Sequence, residues 1–386
     1  MKLNKTVVAV GATLALAACS DQSPVAGRAP TAAPLMMAAA NGIAGEYIVV
    51  LKEGANPRSV AAIAGVQPGF VYEAALNGFS ASLNQGQLAA LQHNPNVEYI
   101  EQDQVASLEA TQSNATWGID RIDQRNRPLS GTYTYNTTAS NVTAYIIDTG
   151  IRPTHSQFGT RAASVYNSAG GSNDDCNGHG THVAGTVGGS THGVAKGVRL
   201  RGVKVLNCSG SGSFSGIIAG VDYVRLNATR PAVANMSLGG GYSSSLNTAV
   251  NNLANSGVFV AVASGNSGAN ACNYSPASAS NVTSVNASSS TDARASWSNY
   301  GSCTHLYAPG VSITSAWHTS NTATNTISGT SMASPHVAGV GALYLAGNPG
   351  ASNSTVRSWI INNATTNVIS GNPSGTPNRL LFKSTL

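Results

Sequence analysis

The stretch YIIDTG at residues 145–150 places Asp148 where an apolar, strand-like run gives way to a glycine-containing turn. Runs rich in Val and Ile alternate with helical patterns in this part of the chain. The predicted strands are 142–147, 203–206, 233–236, 258–263 and 282–285, and the predicted helices lie near 181–187, 214–226 and 246–255. This alternation predicts an α/β, three-layer domain in which helices cover both faces of a mainly parallel sheet. Side chains that carry chemistry are then expected at the carboxyl ends of the strands.

Two further motifs share the small, glycine-flanked character of the Asp148 segment. NGHGTHVAG at 177–185 places His179 at a helix start, and GTSMASPH at 329–336 does the same for Ser331. Acyl transfer by serine needs a base to accept the hydroxyl proton and an acid to orient that base. Alone, each residue would be a turn Asp, a surface His or a capping Ser. Together, the three residues predict a catalytic triad. Their order Asp, His, Ser and the lack of a G-x-S-x-G elbow differ from an α/β-hydrolase, whose triad runs Ser, acid, His.

Two other segments accompany the triad motifs: WGIDRIDQR at 117–125 and VASGNSG at 262–268. With them, residues 110–386 resemble the subtilases, in particular the proteinase K-like branch and its aqualysin-type bacterial enzymes. The resemblance implies a subtilisin-like fold and a monomeric serine endopeptidase. Such an enzyme cuts proteins or peptides through an acyl-enzyme without a catalytic metal, and its mature chain would begin at residue 110. The resemblance also implies Asn266 as an oxyanion donor, with the backbone amide of the nucleophile as the second. An isolated S-G-N would more often be only a turn.

Substrate recognition is expected at unpaired strand edges, to which an extended peptide can add. The segments NMSLGG at 235–240 and SGSGSF at 209–214 are rich in small residues, so a peptide backbone can approach them closely. The resemblance implies that both flank the substrate, that Phe214 lines an apolar pocket, and that 263–265 wall the primary specificity pocket. The substrate-binding residues so implied are Ser237, Leu238, Gly239, Gly240, Gly210, Ser211, Gly212, Phe214, Ala263, Ser264 and Gly265. None of them is charged, which predicts broad specificity favouring large apolar or aromatic residues before the cut.

Residues 45–109 form a separate pattern ahead of this domain. Strand-like runs at 45–51, 78–83 and 97–103 alternate with helical stretches at 58–65 and 85–92, which predicts a βαββαβ-like unit. The runs EYIV at 46–49 and VEYIE at 97–101 resemble the propeptide of subtilisin-type proteases. That resemblance implies a small α+β, ferredoxin-like domain that inhibits the enzyme and assists its folding. A structural module of unknown role is the alternative.

The N-terminus carries an export signature. Lys2 and Lys5 precede the apolar run 7–18, which is too short to span a bilayer comfortably. The ending LAAC resembles a bacterial lipobox and would make Cys19 a lipidation site; a plain signal peptide is the alternative. Residues 1–19 are therefore predicted to be a signal segment, and the Ala- and Pro-rich stretch 20–44 a flexible linker. We expect a bacterial, secreted protein that meets a membrane only through a lipid on its precursor.

The remaining cysteines agree with an exported protein. The resemblance implies disulfides between Cys176 and Cys208 and between Cys272 and Cys303, with four free thiols as the alternative. Basic residues are scattered singly and form no run, so nucleic-acid binding has little support. The formal charge nevertheless divides unevenly: it is −3 before Ala110, from 5 Lys/Arg and 8 Asp/Glu, and +8 from there onward, from 15 and 7.

Two kinds of metal site can be considered. Asp175, Cys176, His179 and His182 have a spacing that zinc could use, but an H-x-x-H without the intervening Glu is weak evidence for a metalloprotease. Hard oxygen atoms suited to calcium are offered by Asp120, Asp123, Gln124, Ser130 and Thr132, which match a site of the aqualysin-like group. A solvated polar turn is the alternative. At a second calcium site the family pattern has Asp where this chain has His305, so a carboxylate is lost.

A function of another class is also open. A protein of this kind could keep the peptide-binding groove and lose the chemistry, acting only as a binding protein. The three triad residues and Asn266 are all present, which argues against that alternative.

Overall fold

The structure is a computed structural model that describes residues 32–38, 42–104 and 110–386. The chain falls into two compact units that divide between residues 105 and 106. The predicted signal segment with Cys19 and the predicted boundary after residue 109 lie outside the described residues, so both stay predictions. In the described ranges no helix is long and apolar enough to cross a membrane.

The N-terminal unit is a five-stranded sheet with two helices. Its strands are β1 Leu35–Met36, β2 Gly42–Leu51, β3 Phe70–Tyr72, β4 Gly78–Ser82 and β5 Val97–Gln104, and its helices are α1 Pro57–Ile63 and α2 Gln85–Gln92. The sheet order is β1-β5-β2-β4-β3, antiparallel except for the pair β1 and β5. From β2 onward the elements follow the predicted βαββαβ order, and β3 is the strand that the sequence did not locate.

Both helices of this unit begin at asparagine caps. The Asn56 side chain accepts a hydrogen bond from the Ser59 amide at 2.9 Å, ahead of a proline at the first helical position. Asn84 and Gln87 form a reciprocal capping box. Behind the helices, Val49, Phe79 and Ile100 are completely buried, so the unit has a core of its own.

Part of the predicted flexible linker 20–44 is instead folded. Leu35–Met36 pairs in parallel with Ile100–Glu101 of β5, and Ala33 is buried. Pairing with β5 satisfies backbone groups that would otherwise stay exposed at a sheet edge. The composition could not reveal this, because the partner strand is far away in the sequence.

Residues 110–386 of the C-terminal unit contain fifteen strands, and nine of them form one large sheet. Its strands are β6 Ala110–Ser113, β7 Thr132–Tyr135, β8 Thr143–Asp148, β9 Ala162–Asn167, β10 Arg199–Lys204, β11 Ala232–Met236, β12 Gly240–Gly241, β13 Phe259–Ala263, β14 Tyr274–Ser275, β15 Thr283–Ser288, β16 Leu306–Pro309, β17 Ile313–Ala316, β18 Thr324–Ile327, β19 Thr365–Thr366 and β20 Arg379–Leu380. Its helices are α3 Trp117–Asp123, α4 His179–Gly188, α5 Phe214–Asn227, α6 Ser244–Asn255, α7 Thr330–Gly347 and α8 Asn353–Asn363. The large sheet runs β19-β20-β16-β15-β13-β11-β8-β10-β9 and is parallel except for the pair β19 and β20.

Helices cover both faces of this sheet, which confirms the predicted α/β class. All residues of β8 are buried, and successive side chains point to opposite sides. Ala144 and Ile146 belong to one apolar core together with residues of α4, α7 and α8, whereas Tyr145 and Ile147 belong to a second core with residues of α5 and α6. Two-sided burial explains why the strands read as continuous apolar runs.

The strand order reverses at β8, which lies between β10 and β11. A crevice at the carboxyl ends of the strands is expected at such a point, and Asp148 is the last residue of β8. The strand predicted at 203–206 lies instead at Arg199–Lys204. Its register with β8 pairs Arg199 with Thr143 and Lys204 with Asp148, so pairing with the buried neighbour begins the strand four residues earlier, and ends it two residues earlier, than its apolar residues suggested.

Candidate active site

Asp148 lies completely buried at the carboxyl end of β8. Its Oδ1 accepts a hydrogen bond from the Thr149 amide at 2.7 Å and contacts His179 Nδ1, also at 2.7 Å. A carboxylate on Nδ1 keeps the proton there and leaves Nε2 free to accept another. The contact therefore gives the imidazole the orientation and tautomer of a general base.

His179 begins α4, directly after Gly178, whose φ of 109° lies in the left-handed region that glycine tolerates. Burial lowers the pKa of His179, but the charge of Asp148 and its hydrogen bond outweigh burial, so the pKa is raised from 6.5. The sequence offered Asp175 only as a metal ligand. In the structure its carboxylate accepts hydrogen bonds from the amides of residues 177, 178 and 181 and from the Thr149 and Thr181 hydroxyls. Asp175 thus fixes the loop that presents His179.

Ser331 is the second residue of α7. Its Oγ donates to the Ser237 carbonyl at 3.1 Å, and within the described residues no hydrogen bond joins it to His179. Catalytic hydrogen bonds are often made only when substrate is bound. In the opposite direction, Ser237 Oγ donates to the Ser331 carbonyl at 2.7 Å. That carbonyl lacks a helical donor because Pro335, four residues later, has no N–H. The pair of hydrogen bonds ties Ser331 to the segment after β11.

Asn266 lies in the loop after β13. Its Oδ1 accepts hydrogen bonds from the Thr330 amide at 2.9 Å and the Thr330 hydroxyl at 2.8 Å, which leaves the amide nitrogen as the available donor. Asn299, which the sequence did not single out, shapes this loop: it donates to the Ser264 carbonyl at 2.8 Å and accepts from the amides of residues 267 and 269 at 3.0 Å. A Cβ at Gly265 would lie 2.4 Å from Asn299 Nδ2, so only glycine fits there.

Two cavities lie beside Ser331 and His179. One, of about 210 Å³, is lined by Ser331 and Asn266 together with Leu238, Gly239, Gly240, Ala263, Ser264 and Gly265. The other, of about 390 Å³, is lined by His179 together with Gly210, Ser211, Gly212, Phe214, Ser237, Leu238 and Gly239. The structure thus brings all eleven residues predicted to bind substrate to the two cavities. Among the described residues, no charged side chain lines the smaller one.

Both disulfides that the resemblance implies are formed. Cys176 is bonded to Cys208 and Cys272 to Cys303. Next to the first bridge, Asn177 Nδ2 donates to the Cys208 carbonyl at 2.9 Å. The bridge therefore joins the loop before His179 to the loop of residues 209–214.

The zinc alternative is not supported. Cys176 is bonded to another cysteine, and His179 Nδ1 is engaged by Asp148. His182 Nε2 lies 2.9 Å from the Ile313 carbonyl, and burial lowers the pKa of that imidazole to about 4. Among the described residues no group of three or more His, Cys, Asp or Glu side chains could hold a metal ion.

The predicted calcium residues do not all converge. Asp120 accepts hydrogen bonds from the amide and hydroxyl of Ser130 at 3.2 and 3.0 Å. Gln124 Oε1 accepts from the same amide at 3.0 Å, and the Ser130 and Thr132 hydroxyls lie 2.8 Å apart. These four side chains form one cluster of hard oxygen atoms, which fits a calcium ion. Asp123 instead pairs with Lys383 at 3.0 Å and accepts hydrogen bonds from Thr134.

Comparisons with known proteins agree with this geometry. The subtilase family matches residues 139–380, and peptidase inhibitor I9 matches residues 67–109. The chain is 50% identical to the extracellular serine proteinase of Thermus sp. (strain Rt41A), over 96% of each chain. It is 44% identical to proteinase R of Parengyodontium album, over 83% of this chain and 85% of that one.

A solved structure is also similar. The crystal structure of a cold adapted subtilisin-like serine proteinase matches with a TM-score of 0.69 and 51% identity, covering 71% of this chain and all of the other. The contact of His179 with a buried aspartate, the fold and this degree of identity lead to one conclusion. The chain belongs to the subtilase family of serine endopeptidases, in its proteinase K-like branch, and carries an I9-type propeptide domain.

Proposed function

We propose that the protein is exported as a precursor and matures into a broad-specificity endopeptidase with Asp148, His179 and Ser331 as its triad. The contact between His179 and Asp148 carries this assignment, since it fixes the tautomer that a base for Ser331 needs. Ser331 Oγ attacks the substrate carbonyl while His179 Nε2 takes its proton. The imidazolium then protonates the leaving amine, and water hydrolyses the acyl-enzyme by the same route.

Asn266 Nδ2 and the Ser331 amide are proposed to bind the negative oxygen of the tetrahedral intermediate. The two hydrogen bonds from Thr330 to Asn266 Oδ1 support this role, because they hold the amide group in one orientation before substrate arrives. Such preorganisation is worth about 10²–10³ in turnover for one donor. Asn266→Ala should lower kcat by that factor and change KM little.

The smaller cavity is proposed to bind the residue before the scissile bond. Its lining of glycine, alanine and serine offers no charge to pair with a basic or acidic side chain. A peptide library varied at that position tests this point: the mature enzyme should cleave after Phe, Tyr and Leu far faster than after Asp or Lys. Equal cleavage after all residue types would remove the assignment.

Labelling with a fluorophosphonate tests the triad as a whole. Intact mass and peptide mapping should locate one label on Ser331, and Ser331→Ala should not be labelled. A chelator should leave labelling of freshly prepared enzyme unchanged. Loss of activity with the chelator in an enzyme that is never labelled would point to a metal-dependent hydrolase.

We further propose that Asp120, Gln124, Ser130 and Thr132 bind a structural calcium ion, with Asp123 reaching it only if its pairing with Lys383 is released. Asp120→Asn should lower the melting temperature in calcium and have little effect in chelator. Asp123→Asn is the matched comparison. This substitution also removes the ion pair with Lys383, so it should destabilise the enzyme both in calcium and in chelator.

Export is proposed from the N-terminal signature together with the names of relatives, among them an extracellular serine proteinase. Lipidation of Cys19 is a finer part of this proposal. Radioactive fatty acid supplied to the expressing bacterium should enter the precursor and not a Cys19→Ser variant. If both precursors stay unlabelled while the protease still reaches the medium, residues 1–19 are a plain signal peptide.

A further inference from the structure

Helix α8 holds three successive backbone carbonyls at the start of β15. Asn353 Nδ2 donates to the Asn281 carbonyl at 2.7 Å. One nitrogen of the Arg357 guanidinium, Nη1, donates to the Ser280 carbonyl at 2.9 Å and to the Val282 carbonyl at 3.2 Å. Asn353 and Arg357 are four residues apart and therefore share a face of α8. The carbonyls of Ser280 and Val282 thus converge on a single point, and a cationic nitrogen occupies it.

His305 lies beside this point, at the position where the family pattern has the aspartate of its second calcium site. The His305 amide donates to the Ser284 carbonyl at 2.9 Å, and the Ser284 amide donates to His305 Nδ1 at 3.1 Å. An imidazole that accepts at Nδ1 is neutral unless Nδ1 gains a proton. Burial first, and then the charges of Arg357 and Arg379, lower the pKa of His305 to about 4. At neutral pH the site therefore has an uncharged ring and two nearby cations.

A calcium ion does not fit this arrangement. Calcium takes six to eight oxygen ligands, usually with carboxylates among them. Here the carboxylate is replaced by an imidazole, the two converging carbonyls already accept hydrogen bonds, and both arginines would repel a divalent cation. The residues at this position therefore contradict the second calcium site that the family pattern implies.

We propose that Arg357 replaces the second calcium ion: a guanidinium fixed to α8 binds the carbonyls of Ser280 and Val282 and holds α8 against the start of β15. A tethered cation cannot dissociate, so this part of the fold does not depend on the calcium concentration. The substitution of His for Asp at 305 belongs to the same exchange, because an aspartate there would pair with Arg357 and compete for its hydrogen bonds. The proposal is independent of the triad and of the calcium cluster around Asp120.

The test compares calcium binding and melting temperature in mature enzyme that has been inactivated with a sulfonyl fluoride to prevent autolysis. Arg357→Met removes the donors and keeps the length of the side chain. Arg225→Met is the matched control, because Arg225 is an exposed helical arginine whose side chain forms no hydrogen bond within the described residues. Arg357→Met should lower the melting temperature by about 3–8 °C, equally in calcium and in chelator, and should bind as much calcium as the wild type. The control should melt as the wild type does.

The double variant His305→Asp with Arg357→Met completes the test, since it restores a carboxylate and frees the two carbonyls. It should bind one more calcium ion than the wild type and regain stability only when calcium is present. His305→Asp alone keeps Arg357 and should therefore bind no additional calcium ion. It also separates the effect of the substitution at 305 from the effect of losing Arg357. The proposal is overturned if Arg357→Met loses calcium that the wild type binds, if its melting temperature equals that of the wild type, or if the double variant binds no additional ion.

Discussion

If His179 is the base for Ser331, as proposed, Ser331 Oγ must first release the Ser237 carbonyl, to which it donates at 3.1 Å. The Ser331 backbone is held by α7 and by the hydrogen bond from Ser237 Oγ, so rotation of the side-chain torsion is the simplest way to release the hydroxyl. The structure therefore shows the Ser331 hydroxyl engaged by Ser237.

Replacement of the nucleophile gives the first prediction. Ser331→Ala should lower turnover on the order of 10⁶-fold, as for the corresponding triad of subtilisin, since the three residues act as a unit. Steady-state hydrolysis of a peptide substrate measures this effect. Because the same variant is expected to block maturation, the precursor must first be cleaved in trans by wild-type enzyme. Near-normal turnover by the matured variant would show that another residue attacks the substrate.

The second prediction concerns pH. His179 must be neutral to accept the Ser331 proton, and the Asp148 carboxylate raises its pKa from 6.5 in spite of burial. A raised pKa means that the imidazole gains its proton while the pH is still above 6.5, so kcat/KM should decline as the pH falls through that higher value. Asp148→Asn removes the charge. The midpoint of the pH profile should then shift to lower pH, while the maximal rate falls by about 10⁴-fold.

The profile must be recorded on enzyme that is still folded. Circular dichroism at each pH provides that control, because His182 and His336 are buried in neutral form and also gain protons at low pH. A midpoint that is unchanged in Asp148→Asn would mean that a group other than His179 governs the acid limb.

At the scale of the elements, α7 begins with a missing hydrogen bond. Pro335 cannot donate to the Ser331 carbonyl, and Ser237 Oγ from the segment after β11 supplies the donor at 2.7 Å. Asn235 Nδ2 donates to that hydroxyl at 2.8 Å and Ser334 donates to Asn235 at 2.7 Å, so the junction of β11 with α7 is a continuous polar network. The sheet and α7 are thus joined at Ser331, the proposed nucleophile.

This junction gives the third prediction. Ser237→Ala leaves the Ser331 carbonyl without a donor and should reduce the free energy of unfolding by about 1–3 kcal/mol. Adding Pro335→Ala returns an amide four residues after Ser331, so the double variant should recover part of that loss. Denaturant titration of inactivated enzyme measures both. If Pro335→Ala destabilises the Ser237→Ala background as much as the wild type, the carbonyl is satisfied in another way.

The sequence located the elements whose signals are local. The predicted triad motifs, the Asn266 loop and the two edge segments could be proposed from the sequence because each is a short run with its own residue types. Asp175 and Asn299 were missed as loop anchors. An Asp or Asn in a turn does not reveal which backbone amides will donate hydrogen bonds to its side chain. Strand β1 was missed for the same reason: its partner is β5, and only the folded sheet brings the two together.

Asp123 shows another limit of local patterns. The sequence predicts it as a calcium ligand, and it did not predict that Lys383, near the other end of the domain, pairs with Asp123. Arg357 likewise donates to the carbonyls of Ser280 and Val282, more than seventy residues earlier in the chain. Long-range electrostatic partners of this kind are not encoded in any local run.

At the scale of the whole molecule, the parts of the chain before and after the predicted cleavage point at residue 109 carry opposite charge. Residues 32–109 contain Lys52 and Arg58 against seven acidic residues, a net charge of −5, whereas residues 110–386 carry +8. Opposite net charges attract the two parts and accelerate their encounter, and salt screens this attraction. Residues 67–109 match peptidase inhibitor I9, so this part of the chain is an inhibitor-type propeptide.

The fourth prediction follows: the separated N-terminal unit should inhibit the mature enzyme in trans. Its own core and sheet allow it to be made as a separate fragment, which should begin at residue 32 because β1 and the buried Ala33 belong to the fold. If cleavage after residue 109 is autocatalytic, residues 105–109 must occupy the substrate cleft at that moment and should remain there as a product. A fragment 32–109 should therefore inhibit more strongly than a fragment 32–104.

Salt separates the two contributions to this inhibition. Raising the ionic strength should slow association of both fragments, since the Debye length falls from about 10 Å at 0.1 M to about 3 Å at 1 M, whereas the advantage of the longer fragment should persist as slower dissociation. Glu98→Gln with Glu101→Gln reduces the charge of the unit without touching the tail, so it should lower the association rate and leave the ratio between the two fragments unchanged. Equal inhibition by 32–109 and 32–104 would mean that the tail does not bind in the cleft. The triad assignment would stand in that case, because Ser331 labelling is measured on mature enzyme without the fragment.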